Sequence, residues 1–226
     1  IDVDGTTNLD VVDIDGAVDM ASTLTVGGNV GIGTTSPDVE LHVASTSQLG
    51  ATFRLENTNI STDTSTVYGT INFEGNDNST GANGIRGSIV GQSLGTTGAM
   101  GLLFSTASAG GSNTERMRID SSGNVGIGES DPSGYWAQAD NLVVGGTGND
   151  GITIKSSTVG NGRLVFTDTK SSTAGLNDGG MIHYNHTDDE MIFQANGSER
   201  MRIDSSGNVG IGVISPTSAL DVATSS

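Results

Sequence analysis

Residues 115–128 read ERMRIDSSGNVGIG, and residues 199–212 repeat the same fourteen letters without a change. The shorter core GNVGIG stands a third time at residues 28–33. Four residues after each copy comes a proline, and the chain has no others: Pro37, Pro132 and Pro216. Identity of this length within one chain indicates an architecture built from repeated structural units.

The fourteen repeated letters predict a β-hairpin. Met117 and Ile119 alternate with polar residues, which places both apolar side chains on one face of a strand. Residues 120–123 read Asp-Ser-Ser-Gly, which is the chemistry of a type I turn followed by a glycine in the left-handed region. The predicted register has three pairs: Met117 with Ile127, Arg118 with Gly126, and Ile119 with Val125. Four apolar side chains of each hairpin therefore share one face.

The apolar positions of the three copies are the predicted core of the repeats. They are Val30, Ile32, Met117, Ile119, Val125, Ile127, Met201, Ile203, Val209 and Ile211. Strands of three residues cannot form a sheet with a core of their own, so we expect them to be stabilised by stacking. The stacking takes place either within one chain, as in a solenoid, or around an axis shared with other copies.

A finer period precedes the first copy of the motif. Short apolar strands that end in Asp-Gly or Gly-Gly recur every 11 or 12 residues, at residues 1–5, 12–16 and 24–28. Together with the repeats, this period divides the chain into three predicted parts. They are a short-period stalk that ends in the first repeat (1–43), a first β unit with a variable insert (44–144) and a second β unit (145–226).

The two inserts between the repeats, residues 44–114 and 145–198, are predicted to be strand meanders, because short apolar segments alternate with polar turns. In the first insert the predicted strands are 51–55, 70–73, 88–90 and 102–105. In the second insert the predicted strands are 152–155, 163–166, 181–184 and 191–194. No stretch of the sequence shows helical periodicity.

The composition favours an all-β chain of short strands and many turns. Glycine accounts for 35 of 226 residues and aromatic residues for only 4%, a balance that disfavours helices. A formal net charge of −17 argues against binding to nucleic acid, which needs a basic surface. The chain has no cysteine, which excludes disulfides and thiolate metal sites. No apolar run reaches the roughly 18 residues of a membrane span, so we expect no membrane insertion.

The phrase ERMRIDSSGNVGIGxxxP, followed by a Leu-x-Val strand, resembles the recurrent module of bacteriophage tail fibres and related virion appendages. The resemblance covers residues 115–144 and 199–222 well and residues 28–43 in part. It implies an elongated, intertwined homotrimer of short-strand β repeats, of the triple-stranded β-helix or β-meander type. It also implies a place on the virion, with other tail or virion proteins and a host cell-surface glycan as partners.

In that family a C-terminal intramolecular chaperone often follows such modules and is removed after the trimer forms. Nothing in this sequence resembles that domain. The chain begins at Ile1 rather than at a methionine, so we expect it to be a piece of a longer fibre. The number of three chains comes from the resemblance, because the periodicity by itself also fits a monomeric solenoid.

Tyr135 and Trp136 are the candidate residues for contact with a glycan, because exposed aromatic rings stack on sugar rings. They lie in six residues that the middle copy has in addition to the other two. The role that we expect for Trp136 is to fill the junction between two units, since aromatic side chains bury a large area, and the glycan contact is the alternative. Arg118 and Arg202 hold matching repeat positions, and we expect them to pair with acidic residues.

Two stretches have the composition of metal sites. Residues 145–153 fit the calcium-binding nonapeptide of parallel β-rolls, but that site needs tandem copies and the chain has one. We expect a glycine-rich turn that enters a strand. His183 and His186 are followed by three acidic residues, but the first lies on a predicted strand and the second in its turn. No metal or cofactor site is therefore predicted.

The sequence as a whole indicates a structural, non-enzymatic segment of a trimeric phage fibre, either a shaft or a spacer that also presents loops to the host. No arrangement of residues points to catalysis, and no catalytic residue is predicted. Two alternatives stay open. One is a bacterial surface adhesin or calcium-binding β-roll, which would be a monomer. The other is a tailspike that degrades host polysaccharide, which would need two carboxylates facing each other in a cleft.

Overall fold

In a computed structural model of the protein, the described residues are 23–59, 63–76, 83–167 and 179–224. Within these ranges the chain forms β-strands and one short 3-10 helix, Pro132–Gly134, so the predicted all-β class is confirmed. The strands are β1 (Val30–Ile32), β2 (Leu41–Val43), β3 (Val67–Asn76), β4 (Asn83–Ser93), β5 (Met100–Ala107), β6 (Asn113–Ile119), β7 (Val125–Ile127), β8 (Leu142–Val144), β9 (Asn161–Phe166), β10 (Gly180–Asn185), β11 (Glu190–Ala195), β12 (Ser198–Ile203), β13 (Val209–Ile211) and β14 (Leu220–Val222). The described part contains no helix with the length and hydropathy of a membrane span.

These strands form one two-stranded sheet and two six-stranded sheets. The first sheet runs in the order β3-β4-β5-β6-β7-β8, and the second sheet runs β9-β10-β11-β12-β13-β14. Neighbouring strands are antiparallel, except that β7 pairs with β8 and β13 with β14 in parallel. β1 and β2 form the same parallel pair. The repeat in the sequence is therefore also a repeat in topology.

The predicted hairpin is confirmed in both long copies of the repeat. All three predicted residue pairs are present in the first sheet, and their equivalents are present in the second. A hydrogen bond of 2.9 Å from the Asp120 N–H to the Asn124 carbonyl oxygen closes a loop of three residues. Gly123 has a φ of +90°, the left-handed conformation that this loop requires.

Two strands predicted in the inserts are wrong, and six are confirmed. Residues 51–55 and 152–155 form no strand, whereas the other six predictions lie within β3, β4, β5, β9, β10 and β11. The first of the two segments leads to Asn57, whose side-chain amide donates to the carbonyl oxygen of Val67 in β3 over 2.8 Å. Leu55 of the same segment lies over Gly69 of β3, so the segment packs on the sheet at this edge without a backbone ladder. Strand propensity alone does not form a strand, because it depends on a pairing neighbour.

The predicted short-period stalk is described only at its end. The units at residues 1–5 and 12–16 lie outside the described residues. Residues 24–26 of the third unit are described and form no strand, so that prediction is wrong for the single chain. A three-residue strand needs a hydrogen-bonded neighbour, and no strand of the described part pairs with this segment.

Each six-stranded sheet has one apolar face, because residues paired across strands project to the same side. On the first sheet the apolar face carries Ile71, Phe73, Ile89, Leu102, Phe104, Met117, Ile119, Val125, Ile127, Leu142 and Val144. On the second sheet it carries Leu164, Phe166, Ile182, Tyr184, Met191, Phe193, Met201, Ile203, Val209, Ile211, Leu220 and Val222. None of these residues is charged.

The opposite face of each sheet, which we call the mixed face, is covered in part by loops of the same chain. Leu103 and Ile192 hold equivalent positions on the two mixed faces and are 8% and 6% exposed. Among Leu, Ile, Val, Met and aromatic side chains of the described residues, only these two are buried. On the first sheet, the side chain of Leu94 lies over Gly101, which is itself buried.

The apolar faces are largely uncovered in the single chain. Phe73, Leu142 and Leu220 are 57%, 55% and 61% exposed. Among the described strands, only strands of the same sheet make more than isolated contacts with each other. The strands of the two six-stranded sheets therefore do not cover each other's apolar faces. Each sheet is a single layer with a hydrophobic face, and such a face needs a second layer.

Candidate functional site: the repeated β-loop-β units

Each copy of GNVGIG, with the proline that follows, forms what we call a β-loop-β unit: a three-residue strand, a crossover and a second, parallel strand. The units are residues 28–44, 123–145 and 207–223. In the first unit the Val30 N–H donates to the Glu40 carbonyl oxygen, and the Ala44 N–H donates to the Ile32 carbonyl oxygen, both over 2.8 Å. The other two units form the equivalent bonds at 2.9–3.0 Å. The repeated letters therefore encode one backbone structure.

The glycine in the middle of each first strand is needed for the crossover to turn back over that strand. A Cβ atom at Gly126 would lie 2.2 Å from the carbonyl oxygen of Glu129, and one at Gly210 would lie 2.2 Å from that of Val213. Real Cβ atoms do not approach backbone so closely, so only glycine fits. The Pro132 ring lies 3.5 Å from the same Cβ position at Gly126 and is buried. The repeated glycine and proline are thus packed against each other.

The turn of each hairpin is held by its aspartate and asparagine side chains. Asp204 accepts hydrogen bonds from the backbone N–H groups of Ser206 and Asn208 over 2.9 and 2.8 Å. The Asn208 side-chain amide donates to the second carboxylate oxygen over 3.2 Å. The hydrogen bond from the Asn208 N–H is the main reason why the pKa of Asp204 is lowered. Identity of the two copies at these positions is explained by this network.

A β-bulge at Arg116 places Glu115 and Arg118 on the same face of β6. Phe104 pairs with Met117 but Ser105 pairs with Glu115, so Arg116 is the extra residue. The Arg118 guanidinium then donates to both oxygens of Glu115, over 2.6 and 2.8 Å. These hydrogen bonds raise the pKa of Arg118. Simple alternation would place the two side chains on opposite faces, so the strand pattern of the sequence did not predict the bulge.

The second sheet repeats the bulge and adds a second carboxylate. Arg202 donates to both oxygens of Glu199, over 2.6 and 2.8 Å. It also donates to Glu190 over 2.5 Å. The predicted pairing of Arg118 and Arg202 with acidic residues is confirmed, and both partners lie in the same chain. The only sequence signal for the bulge was the Glu-x-x-Arg spacing, in which the two charges can meet only if alternation is interrupted.

The ten residues predicted as the repeat core lie where the hairpin register places them. Eight of them are on the two apolar faces, and Val30 and Ile32 are in β1, which corresponds to β7 and β13. In the single chain none of the ten is fully buried: Ile32, Ile127 and Ile211 are 55%, 44% and 43% exposed, and the other seven are partly buried. Their packing into a core therefore needs a further layer and stays a prediction.

Tyr135 and Trp136 lie in the crossover of the middle unit, directly after the 3-10 helix. The Tyr135 hydroxyl donates to Glu129 over 2.8 Å, which raises the pKa of Tyr135. Trp136 is 74% exposed and Tyr135 is 54% exposed. The role expected for Trp136, filling the junction between two units, is wrong for the single chain, because most of the indole is exposed to solvent.

The two stretches with the composition of metal sites form local turns. In residues 145–153, the Asp150 carboxylate accepts the Gly146 N–H over 3.0 Å, and the strand expected after this turn does not form. His183 is buried on the mixed face of β10, while His186 packs edge-on against Tyr184. Among the residues that the structure describes, no three His, Cys, Asp or Glu side chains are grouped as metal ligands would be.

No family model matches the chain, and no curated protein matches it. A functional proposal therefore rests on the repeat units and on the uncovered faces of the sheets.

Proposed function

We propose that this chain is a structural segment of a bacteriophage tail fibre, in which three copies associate through the apolar faces of their sheets. One observation carries the proposal: two sheets with the same strand order each present a largely uncovered face of apolar side chains, and Arg116 reaches the first of these faces only at its end, where it donates to Thr106 Oγ1. The repeat phrase resembles tail-fibre modules, and the resemblance supplies the number three and the place on the virion.

Hydrophobic burial favours association through the apolar faces. A large aliphatic or aromatic side chain contributes about 1.5–3 kcal/mol when it moves from water to a fully buried site. Phe73, Leu142, Phe166 and Leu220 are each more than half exposed in the single chain. Most of this stabilisation is therefore unused until another layer covers the sheets. The mixed faces offer less, because their buried residues are already covered by loops of the same chain.

Electrostatics also favour the apolar faces as the contact between copies. The chain carries a formal net charge of −17, so most ways of bringing identical copies together are opposed by repulsion. The strand register places no acidic side chain on the apolar faces, so contact there keeps the acidic side chains in solvent. A partner with the same faces, in the same register, is another copy of this chain. Three sheets facing inward enclose a prism, and two such prisms in series form a shaft.

The proposed role is mechanical, with the segment acting as a shaft or spacer between other tail or virion proteins and the host surface. Such a role needs no catalytic residue, metal or cofactor. Electron microscopy of the purified chain tests it, because the proposal predicts rods of uniform width that resist proteases. Round particles with the dimensions of one folded chain would instead favour a monomeric solenoid.

A further inference from the structure

The two matching arginines differ in how completely they are hydrogen-bonded. Arg118 and Arg202 each donate through Nε and Nη2 to the glutamate three residues before them. Nη1 of Arg202 also donates to Glu190 over 2.5 Å. Among the residues that the structure describes, Nη1 of Arg118 has no partner, although only 15% of this side chain is exposed. A guanidinium has five N–H donors, so Arg118 can bind one further acceptor at this edge.

The first sheet cannot supply that acceptor from the equivalent strand position. Gly101 holds the place in the first sheet that Glu190 holds in the second. A Cβ atom at Gly101 would lie 2.6 Å from the side chain of Leu94, so a glutamate does not fit there while Leu94 keeps its place. An acceptor for Nη1 of Arg118 must therefore come from outside the strands of the sheet.

A cleft of about 250 Å³ lies beside Arg118, between the hairpin turn and the crossover of the middle β-loop-β unit. Its volume is that of about eight water molecules in the liquid, which suits a ligand of a few non-hydrogen atoms. Leu94 and Pro132 give the cleft an apolar wall, and Asp120, Asp131 and four serines give it a polar wall. Arg118 projects from the mixed face, so association through the apolar faces leaves the cleft accessible.

The charges around the cleft select its ligand. The second sheet shows that Nη1 of the matching arginine binds a carboxylate. The pKa of Arg118 is raised by its hydrogen bonds to Glu115 and, less strongly, by the negative charges of Asp131 and Asp120. Both aspartates are therefore near enough to oppose a ligand that carries only a carboxylate.

An ammonium group on the same ligand removes this conflict. The carboxylate of Asp120 is already bonded within the hairpin turn. Oδ1 of Asp131 accepts the Ser133 hydroxyl over 3.1 Å, and its Oδ2 accepts no hydrogen bond within the described residues. We propose that the cleft binds a small free amino acid, with its carboxylate on Nη1 of Arg118 and its ammonium group on Asp131. Such a zwitterion adds no net charge to an acidic chain, and the apolar wall suits a short aliphatic side chain.

Saturation-transfer NMR on the full chain tests this proposal with L-alanine, propionate and ethylamine as probes. Propionate has the carboxylate without the ammonium group, and ethylamine has the ammonium group without the carboxylate. We expect transfer to the methyl group of alanine with a dissociation constant in about the millimolar range, and binding of either fragment that is at least about tenfold weaker. Absence of transfer to alanine, or equal binding of alanine and propionate, would overturn the proposal.

Two variants each remove one half of the site. Arg118→Met removes the guanidinium, and Asp131→Asn removes a negative charge while it keeps an oxygen for the Ser133 hydroxyl. Both should bind alanine at least about tenfold more weakly than the wild type. Asp131→Asn leaves the pair of Arg118 with Glu115 intact, so it tests the site even if Arg118→Met does not fold. Alanine binding by Asp131→Asn equal to that of the wild type would overturn the proposal.

Matched controls make the same charge changes away from the cleft. Arg163→Met removes an exposed arginine on the mixed face of the second sheet. Asp150→Asn changes a carboxylate that accepts the Gly146 N–H in a turn of the second insert. Both controls should bind alanine as the wild type does. Losses in the controls as large as those in the site variants would show that binding does not depend on the cleft.

This inference does not rest on the proposed function, and the two can fail separately. Light scattering on the samples used for NMR separates them. A monomer that binds alanine would support the cleft and contradict the association of three copies. A particle of three copies that binds no alanine would support the association and overturn the cleft.

Discussion

A Cβ atom at Gly126 would lie 2.2 Å from the carbonyl oxygen of Glu129. The close approach lets the crossover turn back over β7 within three residues, so that β8 can pair with β7 in parallel. Gly210 has the same relationship to Val213 in the second sheet. The repeated glycine is therefore a requirement of the backbone and not a consequence of glycine-rich composition.

Gly126→Ala tests that requirement. The added methyl group must displace the backbone of the crossover, and overpacking of this kind costs about 1–3 kcal/mol. We expect a clear fall in melting temperature, measured at fixed chain concentration because the proposed association would contribute to stability. Gly145→Ala is the matched control, because nothing lies within 4 Å of its Cβ position. Equal melting temperatures for the two variants would contradict the account of the crossover.

Ile119→Asp tests whether the apolar face of the first sheet is buried between copies. An aspartate at this position would place an unpaired charge in the proposed interface, which is strongly unfavourable. We expect a lower melting temperature and a lower oligomeric mass, measured by thermal denaturation and light scattering. Thr70→Asp adds the same charge to an exposed position on the mixed face and should change little. An Ile119→Asp chain as stable as the wild type would show that the face is exposed to solvent.

Replacement of the two matching arginines should have unequal effects. Arg202→Met leaves two carboxylates, Glu190 and Glu199, without their partner, whereas Arg118→Met leaves only Glu115. Hydrogen bonds to charged groups contribute about 1.5–3 kcal/mol when little exposed, so the loss at Arg202 should be larger. Urea denaturation of both variants measures the difference. Equal losses would mean that the contact with Glu190 contributes nothing to stability.

His183 predicts a loss of stability in mildly acidic solution. Burial, followed by the positive charge of Arg163, lowers the pKa of His183 below its ordinary value of 6.5. The unfolded chain therefore binds a proton at His183 more readily than the folded chain does. The stability that neutral His183 contributes is complete above pH 6.5 and is lost as the pH falls toward the lowered pKa. The wild-type melting temperature should fall between about pH 7.5 and pH 5.5.

His183→Val is the matched variant for this titration, because Val90 holds the equivalent position on the mixed face of the first sheet. Its melting temperature should change less than that of the wild type over the same pH range. If the two curves run parallel, His183 does not titrate with folding and its burial in the fold is not as described.

The sequence predicted those features that depend on neighbours in the chain. Alternation of Met117 and Ile119 around the turn at Gly123 was sufficient to give the hairpin register, because each pairing residue lies within a few positions of its partner. The bulge at Arg116 was missed, because it depends on β5, which belongs to the insert. The predicted strands at 51–55 and 152–155 failed for a related reason, since no neighbouring strand pairs with either segment.

The features of the candidate site were also predictable from the sequence only in part. Tyr135 and Trp136 could be singled out because they interrupt a repeat whose other copies lack them. The side of the sheet on which they lie could not be predicted, because it depends on the close approach between Gly126 and the crossover. The ten predicted core residues are not buried in the single chain, and neither the periodicity of the sequence nor the fold of one chain shows what covers them.

The mass of the purified chain in solution, measured by light scattering, tests the central claim most directly. Association of three copies through the apolar faces predicts three times the chain mass of 22.8 kDa, in an elongated particle. A stable particle with the mass of a single chain would contradict the claim, because the uncovered faces of both sheets would then be compatible with a folded monomer.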